Sequence, residues 1–382
     1  MAWMGTREAL AVLPRILLRR GVPYSFDGMP LVANRLSWRK SVNLVKAGVD
    51  MMLRSDRAIC MPPAIQVEPT NVCNLNCRLC PTGSGSLRRP QGFMSMETFE
   101  RILHELGEVL LAVILYGWGE PFLNAELPDM IEACAARGIL TVTSTNGQCI
   151  QSVDQALRVV DAGLSGLIIA IDGSTQEIFE SFRCSGDLEK VKRCATLIEE
   201  AKRRRGSQLP YTNLRVVVTR GNEADLANVE GLARQAGVNM FSYKSVGSAT
   251  DISLVKDYEP TDESMRRYEY DGSERRHRPP IQCPYPFRPP TVFWDGTVVG
   301  CEYDYDADLP WGKIGPQRFA RIWNSRQAMP LRRSIRKGPE RPAFCARCPY
   351  QDSVGDSCVL SCTELRAAGG ARTARAFGAE RI

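Results

Sequence analysis

Cys73, Cys77 and Cys80 place three thiols within eight residues, at spacings of four and three, in the segment Cys-Asn-Leu-Asn-Cys-Arg-Leu-Cys. Soft ligands at that density grip one iron–sulfur cluster or one zinc ion. Structural zinc wants four ligands. Here the local count is three, and neither of the chain's two histidines, His104 and His277, is close in sequence. A four-iron cluster held by three cysteines keeps one iron open to an outside ligand, which suits catalysis. Zinc with a fourth cysteine borrowed from elsewhere is the alternative.

A second group lies near the C-terminus: Cys283, Cys301, Cys345, Cys348, Cys358 and Cys362. Between its first two members, Phe293-Trp294-Asp295-Gly296-Thr297-Val298-Val299 flanks Asp-Gly with apolar residues, which predicts a tight hairpin. Such a hairpin brings Cys283 and Cys301 together despite their separation. Six thiols in a small segment form a metal framework, with zinc again as the alternative. The other five cysteines, Cys60, Cys134, Cys149, Cys184 and Cys194, are isolated and read as buried small hydrophobes.

The elements that position these groups follow from hydrophobic periodicity. Residues 1–62 carry apolar positions at helical spacing (Val42, Val45, Val49, Met52) and read as a helical extension without hairpin signals. From Ala64 strands and helices alternate. Strands are expected at 64–67, 110–116, 139–143, 167–171, 214–219 and 240–245. Helices are expected at 95–108, 127–137, 153–162, 188–205 and 224–235. Apolar strands between helices imply a parallel sheet covered by helices, and six units suggest a partial (β/α)6 TIM-like barrel of α/β class. Chemistry in such sheets sits at the C-terminal ends of the strands. The unusual segments all fall there: Cys73–Cys80, Tyr116–Pro121, Ser144–Gly147, Asp172–Ser174 and Arg220–Asn222. Residues 246–280 read as a polar linker, 281–365 as a small cysteine-rich domain, and 366–382 as an Ala-, Gly- and Arg-rich tail.

Composition bounds the function. The chain has 382 residues, 44% hydrophobic and 24% charged, as a globular protein should. A net charge of +6, with basic residues scattered, argues for a solvated face rather than nucleic-acid binding. Arg15, Arg19 and Arg20 interrupt the apolar N-terminal stretch, so no export signal is evident. The longest apolar run, Val109–Tyr116, falls short of the roughly 20 residues that span a bilayer. A cytoplasmic protein with no membrane association is expected, and reduced thiols there point to metal rather than disulfides.

The CxxxCxxC loop after the first strand of six β/α units, preceded by Glu68-Pro69-Thr70-Asn71, resembles the radical S-adenosylmethionine (SAM) superfamily. The resemblance implies a [4Fe–4S] cluster on Cys73, Cys77 and Cys80 with SAM on the fourth iron. Trp118-Gly119-Glu120 resembles the family's Gly-Gly-Glu segment, which receives the methionyl ammonium, with Trp118 in place of the first glycine. Ser144, Asn146 and Asp172 stand where the family contacts the ribose or methionyl end. Arg183 resembles the arginine that pairs with the SAM carboxylate. The C-terminal segment resembles the SPASM and shorter twitch extensions, which bind auxiliary [4Fe–4S] clusters. One such cluster on Cys283, Cys301, Cys345 and Cys348 matches the twitch arrangement. Cys358 and Cys362 are then spare, swapped in, or part of an incomplete second site. Glu302 sits where some SPASM dehydrogenases place the acid that takes the substrate proton, with Tyr303, Asp304, Tyr305 and Asp306 as nearby alternatives.

What the resemblance implies is an oxidoreductase that makes a 5′-deoxyadenosyl radical and abstracts hydrogen from a substrate. It also implies a reductant protein such as flavodoxin or ferredoxin. A small hydroxyl- or amino-bearing metabolite, such as an aminocyclitol or sugar, is the expected substrate; a ribosomally made peptide is the alternative. The absence of hairpin signals before residue 60 favours the small molecule. A non-catalytic iron–sulfur or zinc redox regulator is the reading from another class.

Overall fold

A β-hairpin stands where the apolar spacing of residues 1–62 predicts only helix. β1 (Val22–Phe26) pairs antiparallel with β2 (Met29–Ala33), Phe26 opposite Met29. The cause is local. Both strands alternate buried and exposed residues, a period of two. Between them Asp27 and Gly28 take φ of 48° and 85°, as a two-residue type I′ turn requires. Helix resumes at α1 (Trp38–Leu53), which Ser37 caps. The computed structural model describes residues 21–34, 36–247, 252–272, 274–276, 285–287, 289–337 and 358–365, with single positions Pro14, Ile16, Leu18, Cys283, Cys345, Cys348 and Ser353. The expected tail at 366–382 lies outside the described residues.

Six parallel strands then alternate with helices. They are β3 (Ala64–Val67), α2 (Met96–Leu106), β4 (Ala112–Leu115), α3 (Leu127–Ala136), β5 (Leu140–Thr145), α4 (Val153–Asp161), β6 (Gly166–Ala170), α5 (Gln176–Phe182), α6 (Leu188–Arg205), β7 (Tyr211–Val218), α7 (Leu226–Ala236) and β8 (Met240–Ser245). The α6 and β8 bounds match the expectation. Asp187 caps α6 and the left-handed Gly206 ends it, so both signals are local. The short α5 has no counterpart in the expected elements.

The described residues within 246–280, expected as a linker, carry regular elements of their own. They include α8 (Ile252–Tyr258) and a small pair of strands, β9 (Tyr270–Asp271) and β10 (Glu274–Arg275). Val255 and Tyr268 are buried against Leu79 of the cysteine loop and Val246. The C-terminal segment supplies β11 (Thr291–Val292), β12 (Thr297–Val299), β13 (Pro310–Lys313), α9 (Phe319–Trp323), α10 (Ala328–Lys337) and β14 (Val359–Glu364). β11 and β12 form the expected Asp-Gly hairpin, and β11 adds parallel to β3. β14 adds antiparallel to β8. The strand order β13-β12-β11-β3-β4-β5-β6-β7-β8-β14 therefore extends the partial barrel at both edges. The cysteine-rich segment shares the sheet instead of hanging from it.

Two cores separate the sheet's faces. Ile65, Val67, Val113, Leu115, Leu167, Leu214 and Val216 pack outward on the helices. On the concave face Ala64, Ala112, Ile114, Val142, Ile168, Tyr211 and Met240 pack on Tyr24, Phe26, Met29 and Leu31 of the hairpin. Several of these begin their strands, so the hairpin plugs the end of the barrel opposite the cysteine loop. No helix among the described residues is long and apolar enough to cross a membrane.

Candidate functional site

The cysteine loop leaves the C-terminal end of β3 and folds back on the neighbouring strand ends. Glu120 N donates to Val72 O (2.9 Å), and Asn76 N donates to Cys184 O (3.1 Å). Gly119 lies so close beneath that a Cβ there would sit 2.4 Å from Thr70 O and 2.7 Å from Val72 O. Cys73, Cys77 and Cys80 lie within electrostatic reach of one another. Burial is the main force raising the Cys73 thiol to about 11, and it raises Cys77 as well. Metal capture therefore has to displace protons from these thiols. Three sulfurs of one loop, within electrostatic reach of one another on one rim, suit three corners of a four-iron cluster. Among the described residues no three His, Cys, Asp or Glu side chains are gathered as ligands of a single metal ion.

Glu120 is the acid of this rim. It is 2% exposed. Its Oε2 accepts from Asn146 N (2.7 Å), and its Oε1 from Thr145 Oγ1 (2.8 Å) and Phe122 N (3.2 Å). Burial pushes its carboxyl up to about 7 against the lowering effect of those hydrogen bonds. Asn146 Nδ2 reaches Cys73 Sγ at 3.9 Å and Asn74 Oδ1 at 2.7 Å, tying the end of β5 to the loop. Ser144 is half-buried, two residues earlier on the same strand. Thr145 was not among the expected site residues; its neighbours in Ser-Thr-Asn-Gly were.

Arg183 ends α5 and lies within electrostatic reach of Cys77, Cys80 and Glu120. Asp172 pairs with its Nε. Asp172 is fully buried, and its Oδ1 accepts from Val217 N (2.5 Å). Asp172 thus meets the guanidinium of Arg183 and the backbone of β7. Cys149 and Cys184, expected as buried hydrophobes, are half-buried at the loop's edge. Asn74 Nδ2 reaches Cys149 Sγ (3.9 Å), and Cys184 lies near Cys77. Cys60, Cys134 and Cys194 are buried.

The second group divides. Cys283 and Cys348 each lie within electrostatic reach of Cys301. Cys345 and Cys348 are joined by a backbone bond, Cys348 N to Cys345 O (3.3 Å). Cys362 sits elsewhere, on β14 in the hairpin core, with its Sγ 3.7 Å from Asp27 O. Cys358, at the start of β14, is in reach of Tyr116, Arg215, Arg267 and Tyr303.

The two cysteine regions are clamped together. Trp118 Nε1 donates to Glu302 O (3.1 Å), and its ring meets Tyr305 edge-on at 5.6 Å. Arg89 forms a bidentate pair with Glu68 (3.0 and 2.9 Å), stacks at 3.6 Å on Phe293 and donates to Tyr305 O. Arg88 pairs with Asp306 and Asp308. Glu302 follows Cys301 and lies in reach of the Tyr116 phenol at the end of β4. Apart from the Arg89–Glu68 pair, 21 positions apart, none of these contacts is visible as a spacing in sequence, because each joins residues about two hundred positions apart.

The sequence profile of the radical SAM superfamily matches residues 67–230, and that of an iron–sulfur cluster-binding domain, SPASM, matches 283–349. Mycofactocin maturase MftC of Mycobacterium tuberculosis is 23% identical over 327 residues, covering 80% of each chain. An AdoMet-dependent heme synthase of Oleidesulfovibrio alaskensis is 23% identical over 75% of this chain and 80% of its own. The crystal structure of Streptococcus suis SuiB bound to S-adenosylmethionine superposes with a TM-score of 0.58 at 12% identity, covering 91% of this chain and 81% of that one.

Proposed function

For a chain that belongs to the radical SAM superfamily and carries a SPASM-type iron–sulfur domain, we propose hydrogen abstraction from a small hydroxyl- or amino-bearing metabolite, ending in dehydrogenation or rearrangement. In this reading residues 63–245 are the catalytic core and 281–365 the auxiliary-cluster domain. One observation carries it. Glu120 and Arg183, of opposite charge and within electrostatic reach of each other, lie beside the thiols of one loop, Glu120 in reach of Cys73 and Arg183 of Cys77 and Cys80.

That arrangement suits a zwitterionic amino-acid end. Glu120 receives an ammonium, and Arg183 receives a carboxylate with the planar guanidinium suited to it. Asn146 and Ser144 supply hydrogen-bonding groups beside them. Cys73, Cys77 and Cys80 hold the [4Fe–4S] cluster that, with SAM bound, supplies a 5′-deoxyadenosyl radical for hydrogen abstraction. Cys283, Cys301, Cys345 and Cys348 hold an auxiliary cluster. Glu302, beside Cys301 and facing Tyr116, takes the substrate proton. The barrel walls position the reacting carbon and exclude water.

Anaerobic reconstitution tests the reading. About eight irons per chain are expected, with 5′-deoxyadenosine formed on adding SAM and a reductant. Cys77→Ala should abolish the nucleoside; its persistence refutes the site. Deuterium passing from a candidate substrate into the nucleoside identifies the class. A second reading, maturation of a ribosomally made peptide, is favoured by the match to a named maturase over 80% of both chains. The β1–β2 hairpin also removes the objection drawn from an all-helical N-terminus. Co-purification with a short precursor peptide would select this reading.

A further inference from the structure

The β1–β2 hairpin enters the barrel from the end opposite the cysteine loop, and its tip reaches well up the interior. Asp27 Oδ2 accepts from Arg215 Nη1 (2.6 Å), and Asp27 O accepts from Arg215 Nη2 (3.3 Å). Arg215 lies three residues before the end of β7, opposite Ala170 of β6 and Ser242 of β8. Phe26 meets Tyr116 edge-on at 6.3 Å. Gly28 packs so tightly on β14 that a Cβ there would lie 2.4 Å from Cys362 Sγ. The tip is therefore held on three sides.

We propose that Asp27 is the floor of the substrate chamber, and that its second carboxylate oxygen accepts a hydrogen bond from an amino or hydroxyl group of a small polar substrate. This inference rests on the reading above, in which the barrel holds the substrate. Three observations support it. First, three of the five N–H groups of Arg215 go to Asp27 and Ser242 Oγ (3.2 Å from Nε), while Asp27 Oδ1 takes no hydrogen bond among the described residues. Asp27 Oδ1 is thus an acceptor that the pair still offers. Second, the Asp27 side chain stays 25% accessible while Arg215 is 5% accessible, so the acid is the member that a ligand can touch. Third, Tyr116 lies in reach of both Asp27 and Glu302, one acid from the hairpin and one from the C-terminal segment. Acids from two separate segments thus stand around the Tyr116 phenol, beside the Arg215 guanidinium, which suits a ligand that brings hydrogen-bond donors. Although burial opposes it, Arg215 and Lys244 hold the Asp27 carboxyl below its usual range, so it remains charged.

The test is equilibrium binding to the reconstituted holoenzyme with SAM present and no reductant. The probes are 2-deoxystreptamine, glucosamine and ethanolamine as donor-rich ligands, and cyclohexanecarboxylate as an anion. Donor-rich probes should bind the wild type at millimolar concentration. Asp27→Asn should weaken them about tenfold to a hundredfold, the size of a lost hydrogen bond to a charged group. Ser25→Ala, on the exposed face of β1, should leave binding unchanged. If Asp27→Asn fails to load iron, Asp27→Glu replaces it. It keeps the charge and raises the floor by a methylene, so 2-deoxystreptamine should lose affinity relative to ethanolamine. The proposal is overturned if no donor-rich probe binds, if the carboxylate binds better than they do, if Asp27→Asn binds as the wild type does, or if Asp27→Glu leaves the ratio unchanged. Failure to bind SAM itself would instead overturn the site assignment on which the inference rests.

Discussion

Lowering the pH should weaken SAM binding through a single proton on Glu120. The carboxyl is pushed up to about 7, with burial the largest cause. An ammonium needs the ionised form as its partner, so affinity is fully present above that value and is lost as pH falls through it. With a midpoint near 7, about a tenth of the protein is ionised at pH 6 and about nine-tenths at pH 8. The apparent dissociation constant should therefore change about tenfold across that range, or about 1.4 kcal/mol. Equilibrium dialysis of SAM against the reconstituted protein at constant ionic strength measures it. Glu120→Gln should bind more weakly at pH 8 and show no slope. A wild type that binds equally at pH 6 and 8, or a Gln variant with the same slope, would refute the assignment of the ammonium to Glu120.

Other perturbations give sharper structural outcomes. Glu68→Ala strands a nearly buried guanidinium on Arg89 and should cost about 3–5 kcal/mol in denaturant unfolding. Adding Arg89→Ala should recover part of that loss, and strict additivity of the two would disprove the pairing. Gly119→Ala, meeting backbone oxygens at 2.4 and 2.7 Å, should block iron uptake at the first site, as iron analysis will report. Trp118→Phe removes the bond to Glu302 O and should lower stability by about 1 kcal/mol. Arg88→Ala, at an exposed ion pair, should change stability by less than that. Cys301→Ser should lose about four irons per chain. Cys362→Ser, in the hairpin core, should keep them and cost packing instead.

Local signals carried most of the barrel. The strands of the six units and the bounds of α6 and β8 were readable because apolar period, caps and glycine stops act over a few residues. The Asp295-Gly296 turn was readable for the same reason. The Asp27-Gly28 turn carried an equal signal between Phe26 and Met29, and the helical spacing further along α1 obscured it. The thiol spacing of Cys73, Cys77 and Cys80 was likewise complete in the sequence, since one loop supplies all three. Tertiary structure alone decided the rest. Asp172 met Arg183, Cys362 packed among the hairpin core residues, and Trp118, Arg88 and Arg89 clamped the C-terminal segment to the first loop. The physical reason is range. Periodicity and turn chemistry are written in neighbours, whereas a buried carboxylate or guanidinium takes whichever distant partner the closed sheet brings within about 3 Å.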